Sequence, residues 1–331
     1  MSAEPSGGGA PRIEIIGLRL PREIKPGDDL AKLIVDAASR EGVGIRDGDV
    51  IVVTSKVALK ALGRMFRVDE IKPSLAARMI SRLTGKDARE VELVLMASRD
   101  IVAVVPFRGV EQRVLHRITR DVNEALKLFR KIPAILVVVT RQGLIALDGG
   151  VDYSNLPPGH AIANIIDFDE EARRLRLRIE ELTGKRVAVV LSDTESNISG
   201  KLGTIDVAVG ASGIKPVTPY FASKDIYGRP KFGGIDIVVD EAASAAALLM
   251  GQTSEGVPAV IIRGLKYERS DEGVKDYCMG VRKISLSVIL KTILVRLVYK
   301  LFYKPENTGA EEAIKSDQPG RSAQAPGKAS S

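Results

Sequence analysis

Two aspartates, each set just past an apolar run, are the first residues here whose type and placing suggest chemistry. Asp152 stands in DGGVDYSN (148–155), beyond the run that ends at Leu147, and Asp193 stands in SDTES (192–196), beyond VAVVL (187–191). Ligand crevices open at strand ends in mixed sheets, and a hard divalent cation takes its oxygens from carboxylates, hydroxyls and carbonyls. Two such turns could share metal ions, or each Asp could simply shape its turn or cap a helix. Earlier, VVTSKVALKALGR (52–64) offers Ser55 at a strand end and Lys60 five residues on, able with backbone amides to hold phosphate oxygens. Lys56 and Lys60 read equally well as surface charges. Later, LLMGQTSEGVPAV (248–260) leaves a polar loop of Gln252, Thr253 and Ser254 behind Gly251, which either lets a ligand approach the backbone or simply ends a helix.

Much other chemistry is excluded. Each Gly-Lys pair (Gly85-Lys86, Gly184-Lys185, Gly200-Lys201) lacks the upstream glycine of a P-loop, and the stretch around Gly42 and Gly44 has Asp47 where a dinucleotide fingerprint needs its third glycine. Two histidines, His116 and His160, with the single Cys278 cannot close a His/Cys zinc site, so any metal rests on oxygen ligands. A Ser/His/Asp hydrolase is not expected without a Gly-x-Ser-x-Gly elbow. The net charge of +7 invites nucleic acid, but there is no Trp, aromatics are 4%, and basic residues alternate with acids along most of the chain, so nucleic-acid binding is not expected. A salt-bridged, heat-tolerant surface accounts for the Lys, Arg and Glu. One cysteine and the absence of an apolar leader point to a cytoplasmic protein.

The elements that must position these residues alternate between periods of two and about 3.6, the pattern of a mixed α and β chain. Strands are expected at 13–16, 49–53, 134–139, 186–191, 204–209, 235–239 and 259–262, with a short strand up to Leu147. Helices are expected at 28–40, 74–83, around Ala172 to Leu182, and at 241–250. Residues 1–12 and 304–331 carry too little bulky apolar surface to repay ordering and are expected to be disordered tails.

Two further segments stand apart. From Pro106 to Pro133 seven Lys/Arg face three acids, and Val114, Ile118, Val122, Ala125 and Phe129 share one face of a basic amphipathic helix. Val281 to Phe302 is strongly apolar, but Lys291 and Arg296 interrupt it, so it is not expected to span a bilayer. Its basic stripe suits a helix docked on the core or one lying on an anionic membrane surface.

Taken in order, GDDL (27–30), DGDVIVVTSK (47–56) with Lys60, GVDYSN (150–155), LTGKRVAVVLSDT (182–194), GASGIKP (210–216), KDIYGR (224–229) and DEAASAAALLMGQTSEGVPAVIIRGL (240–265) resemble the coenzyme F420-0:L-glutamate ligase family over about residues 13–265. The resemblance implies an α+β, mixed-sheet γ-glutamyl-ligase-like fold, to which the basic helix and the amphipathic helix at 281–303 are additions, in a homodimer. It implies GTP-dependent addition of L-glutamate, through an acyl phosphate, to a deazaflavin-type acceptor, with Mg or Mn. Carried over by motif, Asp152, Asp193, Thr194 and Gln252 (or its neighbour Thr253) would be metal ligands. Leu20, Pro21, Ile24, Ser55, Lys60, Asn155, Gly251, Gln252 and Thr253 would surround the nucleotide, and Asp152, Asp193 and Lys60 would carry catalysis. The family's Gly-Arg and further Arg after Asp-Thr are replaced by Glu195, Ser196, Asn197, Ile198 and Ser199, and its Asn-Ala-Gly-Ile-Asp by Asp148 to Asp152, so the acceptor stays open. The alternative is an altered homologue that binds nucleotide and docks to a membrane surface or protein partner.

Overall fold

The run Val50–Thr54 buries both of its faces, as a central strand flanked on both sides must. In the computed structural model it is β2, and it divides two cores. Ile51 and Val53 pack with one buried cluster, and Val50 and Val52 with the other. The structure describes residues 10–20, 23–106, 112–196, 203–278 and several positions between 290 and 301.

In chain order the elements are β1 (Glu14–Leu18), α1 (Leu30–Arg40), β2, α2 (Ser55–Ala61), β3 (Phe66–Arg67), α3 (Leu75–Thr84), α4 (Ala88–Ala97), β4 (Ser98–Pro106), α5 (Gln112–Ile118), α6 (Val122–Lys131), β5 (Ala134–Thr140) and β6 (Ile145–Leu147). They continue with β7 (His160–Ala161), α7 (Phe168–Thr183), β8 (Ala188–Ser196), β9 (Thr204–Ser212), α8 (Val238–Met250) and β10 (Ala259–Arg263). The main sheet runs β1-β10-β2-β8-β9; only β2 and β8 are parallel. It is a mixed five-stranded sheet, the α+β architecture expected.

Helices α1 and α7 cover one face, contributing Ile34, Phe168, Leu175 and Ile179. Helix α8 covers the other with Val239, Ala242, Ala246 and Met250. Asp29 caps α1 and Asp167 caps α7, each carboxylate accepting an orphan N–H of the first turn. Gly210 lets β9 pass under the start of α7, because a Cβ there would lie 2.4 Å from the Phe168 carbonyl. A smaller sheet, β4-β5-β6, packs on α3 and α4 through Val91, Val94, Leu136 and Val138.

Some expectations fail for physical reasons. Residues 235–239 are not a strand: α8 begins at Val238, and the extended residues before it pair with no strand. The expected basic helix over 110–130 is two short helices, α5 and α6, separated by Thr119 to Asp121, where Asp121 caps the second. Helices α2 and α4 and strand β4 had no counterpart in the periodicity of the sequence. Both expected tails lie outside the described residues, except for 10–12. Residues Met1–Val281 form one unit and Arg282–Ser331 another. In the second, the described positions from Leu290 to Leu301 are helical with exposed apolar side chains. Among the described residues no helix is long and apolar enough to cross a membrane.

Candidate active site

The parallel register of β2 on β8 pairs Thr54 with Ser192. Strand β2 ends there and passes into α2 at Ser55, while β8 runs on against β9 with Asp193 opposite Val207. Asp193 thus stands within a strand and not just past its end, as the sequence pattern suggested. There the chain opens into a cleft of about 660 Å³. Its walls come from the segment of Leu20, Glu23 and Ile24, the start of α2, the turn after β6, Ser192 to Thr194 of β8, Asp206 of β9 and the loop that follows α8. Every described candidate meets in it: Leu20, Ile24, Ser55, Lys60, Asp152, Asn155, Asp193, Thr194, Gly251, Gln252 and Thr253 all line it. Pro21 lies outside the described residues, as do Asn197 to Ser199.

Asp193 sits on the cleft floor, where Oδ2 accepts from Asn164 Nδ2 at 2.8 Å and Oδ1 accepts from the Thr194 N–H at 3.1 Å. Burial pushes its carboxyl above the ordinary range, against the hydrogen bonds from Asn164, Thr194 and Ser55, and the Asp152 charge adds to the upward push. Asn164 reaches it only because residue 150 is glycine: a Cβ there, at φ +67°, would lie 2.2 Å from Asn164 Nδ2. Asp152 is half-buried. Its Oδ2 lies 2.6 Å from Lys56 Nζ and accepts from Ser154 Oγ at 2.9 Å, while Oδ1 accepts from the Ser154 N–H at 2.7 Å. Burial alone would raise its carboxyl, but Lys56 and Ser154 hold it below the usual value. Lys56 is therefore a cation in the cleft, not a free surface charge.

Lys60 is buried. Its Nζ donates to Glu23 Oε1 at 2.9 Å and to the Asn155 carbonyl at 3.2 Å. Asn155, at φ +54°, donates through Nδ2 to the Thr253 carbonyl at 2.9 Å and ties the loop after α8 to the turn after β6. Behind the cleft, the Glu195 carboxylate accepts from the Leu147 N–H at 3.0 Å, and burial, reinforced by the Asp193 charge, pushes it up to about 8.

Among the oxygens lining this space are the carboxylates of Asp152 and Asp193, the Thr194 hydroxyl and the Gln252 amide, donors of the kind a hard divalent cation takes. Among the described residues no three His, Cys, Asp or Glu side chains converge into a ready-made cage. Mg²⁺ is an ion that proteins commonly hold through one or two carboxylates while water and phosphate oxygens complete the sphere. Sequence reasoning missed Asn164 and Asp206. Asp206, a buried acid in the cleft wall, was visible only as a carboxylate inside the apolar run TIDVAVG (204–210).

Comparison with known proteins places the chain among relatives of one family. A family model described as F420-0:Gamma-glutamyl ligase matches residues 17–264. The coenzyme F420:L-glutamate ligase of Methanopyrus kandleri is 38% identical over 261 residues, covering 79% of this chain and 90% of the relative. That of Methanothermobacter thermautotrophicus is 36% identical over 265 residues (80% and 94%), and that of Archaeoglobus fulgidus 37% identical over 254 residues (77% and 88%).

Proposed function

The chain belongs to the F420-0:gamma-glutamyl ligase family, and from that premise we propose that it joins L-glutamate to coenzyme F420-0 or a close relative, spending GTP and using Mg²⁺ or Mn²⁺. The observation that carries this is that one cleft gathers carboxylates, a buried lysine and a polar loop from six separate parts of the chain.

In this reading the acceptor's terminal carboxylate attacks the γ-phosphorus of GTP; the bond to the β-phosphate oxygen breaks, leaving an acyl phosphate and GDP. The glutamate ammonium loses a proton to solvent, and the resulting amine attacks the acyl carbon. Phosphate leaves with the C–O bond electrons, and the nitrogen gives its second proton to the departing phosphate as the amide forms. Such transfers are catalysed by positioning and charge neutralisation rather than by covalent chemistry of the protein. Divalent ions supply charge neutralisation for the phosphate oxygens, and Asp152, Asp193, Thr194 and Gln252 are the residues that would hold them. Lys60, already pointed into the cleft by Glu23 and Asn155, pairs with triphosphate oxygens. Ser55, Leu20, Ile24 and the Gly251–Pro258 loop enclose the nucleotide, and the apolar part of the wall keeps water from the acyl phosphate. The neighbouring positions that differ from the family pattern, from Glu195 onward, make the acceptor the open variable.

Incubation with GTP, Mn²⁺, L-glutamate and F420-0 should give GDP and products heavier by glutamyl units in mass spectrometry. GDP release with no such product would point to another acceptor, and no GDP with any acceptor would overturn the ligase reading. A homodimer is part of this proposal, supported by the loop before α8, where Ile226, Tyr227 and Phe232 are 92%, 80% and 98% exposed. Side chains that apolar are commonly covered by a partner.

A second reading, nucleotide binding with docking to a membrane surface, is favoured by the exposed apolar side chains between Leu290 and Leu301. The cations there are not balanced by acids, since none occurs between Asp276 and Glu306.

A further inference from the structure

Thr194 and Asp206 face each other across the β8–β9 ladder. Asp206 is 4% exposed and lines the cleft. Its Oδ1 receives two hydrogen bonds, from Thr194 Oγ1 at 2.9 Å and from Gln252 Nε2 at 3.2 Å. Both bonds run toward the carboxylate oxygen, with Thr194 Oγ1 and Gln252 Nε2 as the donors. The single hydroxyl proton of Thr194 is committed to Asp206, and the amide of Gln252 must turn its NH₂ toward Asp206 and its carbonyl away. Thr194 Oγ1 also lies within reach of Gln252 Oε1, at 3.4 Å, but its contact with Asp206 is the shorter at 2.9 Å. With the only proton between them drawn to Asp206, Thr194 Oγ1 and Gln252 Oε1 form a pair of lone-pair oxygens. Asp206 is itself anchored, since the Ser244 hydroxyl of α8 donates to its backbone carbonyl at 2.8 Å. Strand β9 and helix α8 are thereby held at the spacing that lets one carboxylate reach residues on β8 and on the loop after α8.

We propose that Asp206 is a positioning residue that presents the Thr194 and Gln252 oxygens, lone pairs outward, to a divalent cation in the cleft. The proposal rests on the metal-dependent ligase reading and adds a residue that acts through Thr194 and Gln252. Groups that orient metal-binding side chains from behind alter metal affinity by about 10–100-fold when removed.

The test uses the full chain with GDP present, so that nothing turns over, and reads free Mn²⁺ by its electron paramagnetic resonance signal. Asp206→Ala should weaken Mn²⁺ binding about 10–100-fold while GDP binding measured without metal stays within about twofold. Asp206→Asn keeps a carbonyl that can accept one of the two donors but loses the charge, and its Mn²⁺ affinity should fall between those of Asp206→Ala and the unaltered chain. Because Asp206 acts partly through Thr194, Asp206→Ala should cost less in a Thr194→Val background than on its own. Under turnover the metal concentration for half-maximal rate should rise more than kcat falls. Should Asp206→Ala fail to fold, Asp206→Asn carries the same comparison. Mn²⁺ affinity unchanged in both variants, equal losses of Mn²⁺ and metal-free GDP binding, or strict additivity with Thr194→Val would each overturn the role of Asp206. An unaltered chain that takes up no Mn²⁺ would instead defeat the metal reading beneath it.

Discussion

Asp193 takes hydrogen bonds from Asn164, Thr194 and Ser55 where it lines the cleft, and it belongs to none of the apolar clusters that hold the fold. Asp193→Ala should therefore leave the fold intact and remove the stabilisation that GTP and Mn²⁺ together confer. Ligand at 100 times its dissociation constant adds about 2.7 kcal/mol, easily read as a rise in melting temperature; the same rise in the variant would exclude Asp193 from the metal and nucleotide site. Cys278 is a second residue whose chemistry is set by its surroundings. Burial pushes its thiol up to about 11, with Asp169 adding to the effect. A raised thiol pKa suppresses the nucleophilic thiolate at neutral pH, so iodoacetamide at pH 8 should label the native protein on the order of a hundredfold more slowly than the urea-unfolded chain, from the two-unit gap to an ordinary thiol. The gap should narrow as pH rises through 9 to 11; equal rates at pH 8 would show Cys278 to be open. At this scale Asp152 and Asp193 were legible because acids just past apolar runs break a pattern. Asn164 and Asp206 were not, because their contacts are set by register and by the turn at Gly150, which no local spacing encodes.

The turn after β6 shows how an element carries the site. Asp148, Gly149 and Gly150 have φ of +48°, +61° and +67°, a left-handed run that returns the chain toward the sheet and opens room for Asn164. Asp148 is not glycine, so its strain is borne by contacts. Its Oδ1 accepts from the Leu136 N–H at 2.9 Å, and its Oδ2 lies 2.9 Å from the buried Lys86 Nζ, which also contacts Glu90 at 2.6 Å and the Ala134 carbonyl at 3.0 Å. Lys86 thus joins the loop before α4, strand β5 and the cleft turn. Removing one partner of a buried ion pair typically costs 3–5 kcal/mol. Lys86→Met should lower unfolding stability in urea by about that amount, and adding Asp148→Asn should recover part of it by removing the stranded charge. A loss below about 1 kcal/mol, the usual ceiling for an exposed pair, would show that the pair does not hold the turn. Elements with strong caps or a uniform apolar face, such as α1, α7, β2 and β10, were readable from pattern. The strand expected at 235–239 was not, because a short β-branched run reads alike at the mouth of a helix and within a strand.

At the scale of the whole molecule, the family match ends at residue 264 and the first unit at Val281, and the buried cores lie within that unit. The segment beyond Val281 is different in kind. Arg282, Lys283, Lys291, Arg296, Lys300 and Lys304 accompany an apolar stripe with no acid among them, and the described stripe residues Leu290, Ile293, Leu294 and Leu297 are each more than half exposed. Near an anionic bilayer each such cation contributes on the order of 1 kcal/mol, and apolar side chains entering the interface add to it. A chain ending at Val281 should therefore melt within a few degrees of the full protein and keep its GDP-forming activity. The full protein should float with vesicles containing phosphatidylglycerol, and the shortened one should not. Flotation should also fade between low salt and about 0.5 M salt, where the screening length drops to a few ångströms. If the shortened chain floats as well, or neutral vesicles serve equally, the basic stripe has no role in docking. If the shortened chain melts far below the full protein, the second unit acts as a brace for the first and the exposed leucines are its packing surface.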